Sequence, residues 1–468
     1  MSRSLILSGD HPASESISRA LLRHFRALMG LAWPVMLSRA GILLMALVDI
    51  AMLGRFGPGA PGIAGLGLAL FMPAIVISIG LVSGMVPVIA QAWGAGERAE
   101  AGRAWRRAMV WACLVSAIGT LLVWWSGNLL QFFDYPAETA AGASEVARAL
   151  APGLAAQVLY TACAFYLEST QRPIYALFAM VVANIVNFGL NWVMIFGHLG
   201  WPEMGATGAA LATTMARFVA FAVVLWVILA QKDPHGAGVR GPWGSIWGPG
   251  GWEAGRMMRR LGIAAGISTG FETFAFASMV VMAGTLGATA LDAYSVSHNL
   301  ISTTFMVGLG LSVATGVRVA QAAGAGERRE AALAGWTGLL TAGLLMGVLC
   351  AFVLLFRQEI AFAYSDVPEI IARTTTLFLF SALVFVPDSM QVVMGQAVRA
   401  LGDAWVPVGI YISSFLFLMV PLGRWMIGPG GWDERGLVIA IIISCVLAGV
   451  LLSWRFHRLT RDTGDAGP

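Results

Sequence analysis

Twelve apolar runs, each about as long as a lipid bilayer is thick, dominate this chain of 468 residues. A helix needs roughly 20 apolar residues to cross the hydrocarbon of a membrane. By that rule the runs fall near 29–54, 63–89, 108–129, 147–168, 174–197 and 205–230. A polar stretch follows at 231–258, and the second set lies near 261–285, 291–317, 333–356, 373–397, 404–427 and 436–456. Only 12% of residues are charged, whereas a soluble globular protein carries roughly a quarter. The chain cannot cover itself with a surface suited to water, so lipid is its natural solvent. The expected fold class is an all-α membrane protein of twelve transmembrane helices in two six-helix bundles, related by a pseudo-two-fold axis along the membrane normal. The expected division is an N-terminal segment 1–27, a first lobe 28–230, a linker 231–258, a second lobe 259–457 and a tail 458–468.

The cations set an orientation. Lys232 is the sole Lys, and the other basic residues are Arg. If the N-terminus is inside, 21 of the 29 cations fall on inner segments, among them Arg23, Arg98, Arg103, Arg172, Arg240, Arg318 and Arg399. Outer segments hold six: Arg55, Arg148, Arg357, Arg373, Arg424 and Arg435. The excess of positive charge inside predicts that both termini are cytoplasmic. Because these Arg residues lie between apolar runs and not on one face, nucleic acid is not an expected partner. No cleavable signal peptide is evident in residues 1–27, so the first run is expected to stay as a membrane helix. The four Cys are scattered within apolar runs and read as small buried side chains.

An internal repeat is the strongest pointer to function. Residues 90–101 read AQAWGAGERAEA and residues 320–331 read AQAAGAGERREA, an offset of 230. At that offset Met52, Gly54 and Gly57 match Met282, Gly284 and Gly287. Six spans per half give the halves the same orientation, and two similar bundles face each other across a cleft. Rocking about such a cleft is the physical basis of alternating access.

The repeated GAGER loop, the segment Val48–Gly54, the segment Phe271–Phe274 and the segment Pro387–Val393 resemble the multidrug and toxic compound extrusion (MATE) family, in particular its NorM-type branch. The resemblance runs from about residue 25 to 457 and implies export of small amphipathic compounds, driven by influx of Na⁺ or H⁺ and needing no cofactor. It also implies a multi-pass protein of the bacterial inner membrane, expected to act as a monomer. Two departures stand out. Val384 occupies a position where the branch often has Tyr, four residues before the acid of span 10. Ala293-Tyr294-Ser295 replaces the usual Ala-His-Gln. The first leaves Na⁺ and H⁺ both open.

Acids inside spans are costly, roughly 2.5–3.5 kcal/mol each on insertion scales, so Asp49, Glu272 and Asp388 call for a role or a partner. Glu272 lies about mid-way along span 7, where a buried carboxylate can take up and release protons or attract a cation. Asp388 follows Pro387, which is expected to kink span 10 and free a carbonyl, so Glu272 and Asp388 together form a candidate Na⁺ site of oxygen ligands. Their repeat counterparts, Ile42 and Gln157, are uncharged, which places the expected cation site in the second lobe. Asp49, near the outer end of span 1, matches the family and is expected to serve in proton or substrate handling. Arg39, ten residues earlier, either binds an anionic part of the substrate or pairs with an acid. Arg217 in span 6 raises the same question. Asn184, Asn187 and Asn191 share one helical face and bond either toward the cleft or toward a neighbouring helix.

Other classes of function lack their residues. Lys232 is followed by Asp233, so no phosphate-binding P-loop exists. Neither a His-Glu-x-x-His motif nor a Gly-x-Ser-x-Gly elbow occurs, so an enzyme is not expected. The competing reading is a flippase for lipid-linked precursors or polysaccharide, with a cleft rich in Arg.

Overall fold

The computed structural model describes residues 17–57, 59–132, 136–230, 238–240 and 251–461. Residues 231–237 and 241–250 of the expected linker, the first sixteen residues and the last seven lie outside these. Among the described residues the regular elements are all helical, and twelve helices are long and apolar enough to cross a membrane. The first bundle comprises α1 (Ile17–Phe56), α2 (Ala60–Ser83), α3 (Met85–Gly94), α4 (Arg98–Ser126), α5 (Ala137–Ser169), α6 (Ile174–Phe196) and α7 (Gly205–Ala230). The second comprises α8 (Arg256–Gly284), α9 (Ala288–Gly324), α10 (Arg328–Leu355), the short α11 (Arg357–Tyr364), α12 (Pro368–Ala400), α13 (Trp405–Tyr411), α14 (Val420–Ile427) and α15 (Asp433–Arg461).

Several boundaries differ from the apolar runs, for physical reasons. The fourth and tenth spans, α5 and α12, begin at Ala137 and Pro368, not near 147 and 373, because their opening turns carry Glu138, Glu145, Glu369 and Arg373 and so are not apolar. Helix α1 begins at Ile17, so residues 17–27 continue the first span. The second span is two helices, parted at Gly84. Pro87 has no N–H to donate to the Ser83 carbonyl, and a side chain at Gly84 would strike the backbone of Met258 and Gly262 on α8. The eleventh span holds a π-helical segment, Ile412–Met419, between α13 and α14.

The two GAGER loops fold alike. Gly96 and Gly326 have φ of 80° and 78°, a left-handed conformation that glycine adopts without strain. In both, the residue after the helix donates back to Gln91 O or Gln321 O, at 2.9 and 3.0 Å. Helices α5 and α12, which occupy equivalent positions in the repeat, are the most buried spans of their bundles.

The bundles meet through α1 and α9, α2 and α8, and α3 and α9. Their close approaches fall between mid-span and the face that carries the chain termini. Gly80 faces Gly266, Gly84 faces Gly262, Gly94 faces Gln321, Gly324 faces Gln91 and Gly310 faces Met36. At that face Gln91 Nε2 donates to the Ala400 carbonyl at 2.8 Å, and Gln321 Nε2 donates to the Ser169 carbonyl at 2.9 Å. Each glutamine therefore caps the last turn of the central helix of the opposite bundle. Arg23 and His24 on α1 reach Glu330 on α10 at 3.2 and 3.0 Å, closing the same face.

Candidate functional site

In the second bundle, α8 carries Glu272 and α12 carries Asp388. Asp388 is buried, and Glu272 is partly buried. One residue is near both. Gln391, a turn beyond Asp388 and fully buried, donates from Nε2 to Asp388 Oδ1 at 3.2 Å. Its side chain also lies within electrostatic reach of the Glu272 carboxylate. Cys445 on α15 directs its thiol at Asp388 Oδ1 from 3.7 Å. Tyr411 on α13 donates to the Gln391 carbonyl at 3.4 Å, and the guanidinium of Arg399 lies 5.4 Å from the Tyr411 ring. Aromatic rings flank this acid pair. Phe276, one turn from Glu272, packs near Phe415 and His298 at 6.0 and 5.9 Å, and Tyr294 stacks on His298 at 6.2 Å. Buried polar atoms without a protein partner concentrate here: Tyr294 Oη, His298 Nδ1, Gln391 Oε1, Ser414 Oγ and Ser444 Oγ. Such atoms call for water or a ligand.

Helix α12 runs unbroken through Pro387, with no helix break at the proline. The carbonyl that Pro387 leaves without its helical donor is that of Leu383, which is half exposed, whereas Asp388 is buried. The polar neighbour beside the acid is a side-chain amide, which faces Asp388 with its N–H. Among the described residues no group of three or more His, Cys, Asp or Glu is placed to hold a metal. The donor set around Glu272 and Asp388 is two carboxylates and an amide.

The first bundle holds a different kind of acid site. Asp49 lies two turns inside the end of α1 and is saturated with donors. Asn187 and Asn191 on α6 donate to Oδ1 at 3.1 and 2.6 Å, and Thr213 on α7 donates to Oδ2 at 2.5 Å. Asn184 bonds to the Gly41 carbonyl at 3.1 Å. The asparagine stripe therefore faces the neighbouring α1. Arg217, a turn beyond Thr213, is buried over the Phe71 ring at 4.8 Å and sits within electrostatic range of Asp49. Arg39 is not in this group. It forms a buried ion pair with Glu168 on α5 at 3.2 Å and lies 5.4 Å from the Phe165 ring.

Of the four candidate residues, the structure brings Glu272 and Asp388 together, sets Asp49 apart in the other bundle, and occupies Arg39 with an acid. Sequence reasoning missed Gln391, Cys445, Thr213 and Glu168. Gln391 had a local signal, since residues three apart share a helical face. The partners of Asp49 and Arg39 lie 129 to 164 residues away along the chain, and no spacing rule reaches that far.

A family profile described as MatE matches residues 34–193 and 264–425, one segment in each bundle. The chain is 34% identical to the probable multidrug resistance protein NorM of Caulobacter vibrioides, over 92% of this chain and 91% of that protein. It is 28% identical to the multidrug resistance protein MdtK of Cronobacter sakazakii, over 94% and 95% of the two chains. Among solved structures it resembles the eukaryotic MATE transporter AtDTX14, with a TM-score of 0.84, 19% identity and 94% and 98% of the two chains covered. It also resembles an outward-facing multidrug resistance MATE transporter, with a TM-score of 0.83, 20% identity and coverage of 95% and 98%.

Proposed function

This chain belongs to the MatE family of multi-pass membrane transporters, and from that premise we propose that it is an antiporter that exports small amphipathic organic compounds in exchange for Na⁺ or H⁺. The observation that carries the reading is the acid pair: two carboxylates on different helices of the second bundle, with one buried amide bonded to Asp388 and within electrostatic reach of Glu272. A cation that binds there draws α8 and α12 together, whereas the empty pair repels. This gives the ion a different affinity for two arrangements of the bundle, the condition under which a ligand shifts a conformational equilibrium. Exchange then follows if substrate favours the other arrangement, so that each ligand disfavours the other.

The two lobes, 28–230 and 259–457, act as the moving bodies, and one monomer suffices, since both acid sites lie within one chain. The excess of Arg at the face bearing the termini supports a cytoplasmic position for that face. The bundles meet on that half, so this arrangement corresponds to a cleft open to the outside. Asp292, Ser295, Asn299 and Thr303, exposed at helical spacing on the other half of α9, fit a wall that faces water. The pairing of Arg39 with Glu168 leaves no free cation there for a phosphate headgroup, which favours drug-like substrates over lipid-linked ones.

Ethidium export, read as dye uptake into everted vesicles with Na⁺ and pH gradients imposed separately, tests the proposal. One gradient drives efflux in the wild type, and Glu272→Gln and Asp388→Asn abolish it at normal protein levels. Efflux that survives in both variants would refute the acid pair as the coupling site.

A further inference from the structure

Of the buried atoms without a partner in the second bundle, one belongs to the residue that bonds to Asp388. Gln391 Oε1 is fully enclosed and has no partner, although Nε2 of the same amide serves Asp388 at 3.2 Å. An unsatisfied buried carbonyl oxygen is costly, so the orphan end of this amide calls for a partner. The backbone around it is fixed, since Tyr411 holds the Gln391 carbonyl and α12 is continuous here.

Resting on the reading of Glu272 and Asp388 as the coupling-ion site, we propose that Gln391 is its positioning residue, an amide that presents a different end to the site in each state. Without the ion, the amide turns its N–H end to Asp388, beside Glu272, and steadies the acid pair despite its repulsion. With the ion bound, the pair no longer needs that donor. The amide then turns about its last bond and Oε1 faces the site. A sodium ion gains a neutral oxygen ligand. A proton, carried by one carboxyl, gains an acceptor for its O–H. A glutamine suits this task because its two ends are nearly the same shape and opposite in hydrogen-bonding sense. Both ends of the amide are used in turn, which accounts for the orphan oxygen in the ion-free arrangement.

The test is made on the full chain reconstituted in liposomes. Ethidium transport is measured against a graded Na⁺ or pH gradient in the wild type, Gln391→Met, Gln391→Asn and the acid variants. Met keeps the length and the packing but has neither N–H nor carbonyl. In Gln391→Met the ion concentration for half-maximal rate shifts by about tenfold, as expected for losing a hydrogen bond to a charged group, while the maximal rate stays within about twofold. Ethidium affinity without a gradient and thermal stability in detergent stay at wild-type values, which a purely structural role would not allow. Gln391→Asn, which keeps the amide, restores part of the shift. A wild-type ion dependence in Gln391→Met, with the acid variants inactive, overturns this proposal alone. Wild-type ion dependence in Glu272→Gln and Asp388→Asn overturns the acid-pair reading and this one with it.

Discussion

Asp49 and Glu272 are intramembrane acids solved in opposite ways. Asp49 is surrounded by three donors within 3.1 Å and has Arg217 nearby, whereas Glu272 lies near a second acid whose amide donor is Gln391. A charge-assisted hydrogen bond is worth about 1.5–3 kcal/mol, so Asn191→Ala, which removes the 2.6 Å contact, lowers ethidium efflux about tenfold without lowering protein level. Initial efflux rates normalised to membrane protein check this. Arg39 and Glu168 form a buried pair, and breaking one partner of such a pair costs about 3–5 kcal/mol. Arg39→Met alone therefore lowers the melting temperature in detergent, and adding Glu168→Leu recovers most of the loss. If Arg39→Met were as stable as wild type but altered substrate preference, Arg39 would be a substrate ligand. The acids themselves were legible in the sequence because charge inside an apolar run is rare. Their partners were not. In the sequence Asn187 and Asn191 form a stripe without a target, Thr213 carries no signal, and Cys445 reads as a small buried side chain.

At the scale of helices, the repeated loop explains itself through contacts between the bundles. Gln91 and Gln321 are equivalent in the repeat, and so are the helix ends they cap, at Ala400 and Ser169. Gln171 adds a bond to Gln321 Oε1 at 2.7 Å. These bonds close the face bearing the termini and must break when it opens. Each bond contributes about 0.5–1.5 kcal/mol, so Gln91→Leu with Gln321→Leu moves the equilibrium between the two arrangements by roughly tenfold toward opening at that face. Distances between spin labels placed on the ends of α3 and α12 would report it. Gly94→Leu acts more bluntly, because a side chain there meets the Gln321 backbone. It blocks closure, so transport stops while ethidium still binds. Spans were legible as elements because twenty apolar residues admit little else. The break at Gly84 and the π-helical segment at Ile412–Met419 were not, since both depend on what packs against them: α8 at Gly84, and α8 and α15 at the π-helical segment.

For the whole molecule, the GAGER offset carries the duplication, and the distribution of Arg carries an expected orientation with the face bearing the termini cytoplasmic. Neither carries the arrangement of the lobes, which depends on interhelical contacts such as Gly80 on Gly266. The orientation predicts that Glu97→Cys, in a background without other cysteines, reacts with a membrane-impermeant maleimide only after cells are opened. The central claim is that ion and drug movements are coupled through Glu272 and Asp388, and coupling is reciprocal. The most direct measurement is drug-driven ion movement in proteoliposomes. An ethidium gradient is imposed with no ion gradient, and internal pH and Na⁺ are followed. The account predicts that wild type moves one of the two ions uphill, opposite to the dye, and that Glu272→Gln and Asp388→Asn move neither. Dye that crosses through the wild-type protein with no movement of either ion would contradict it.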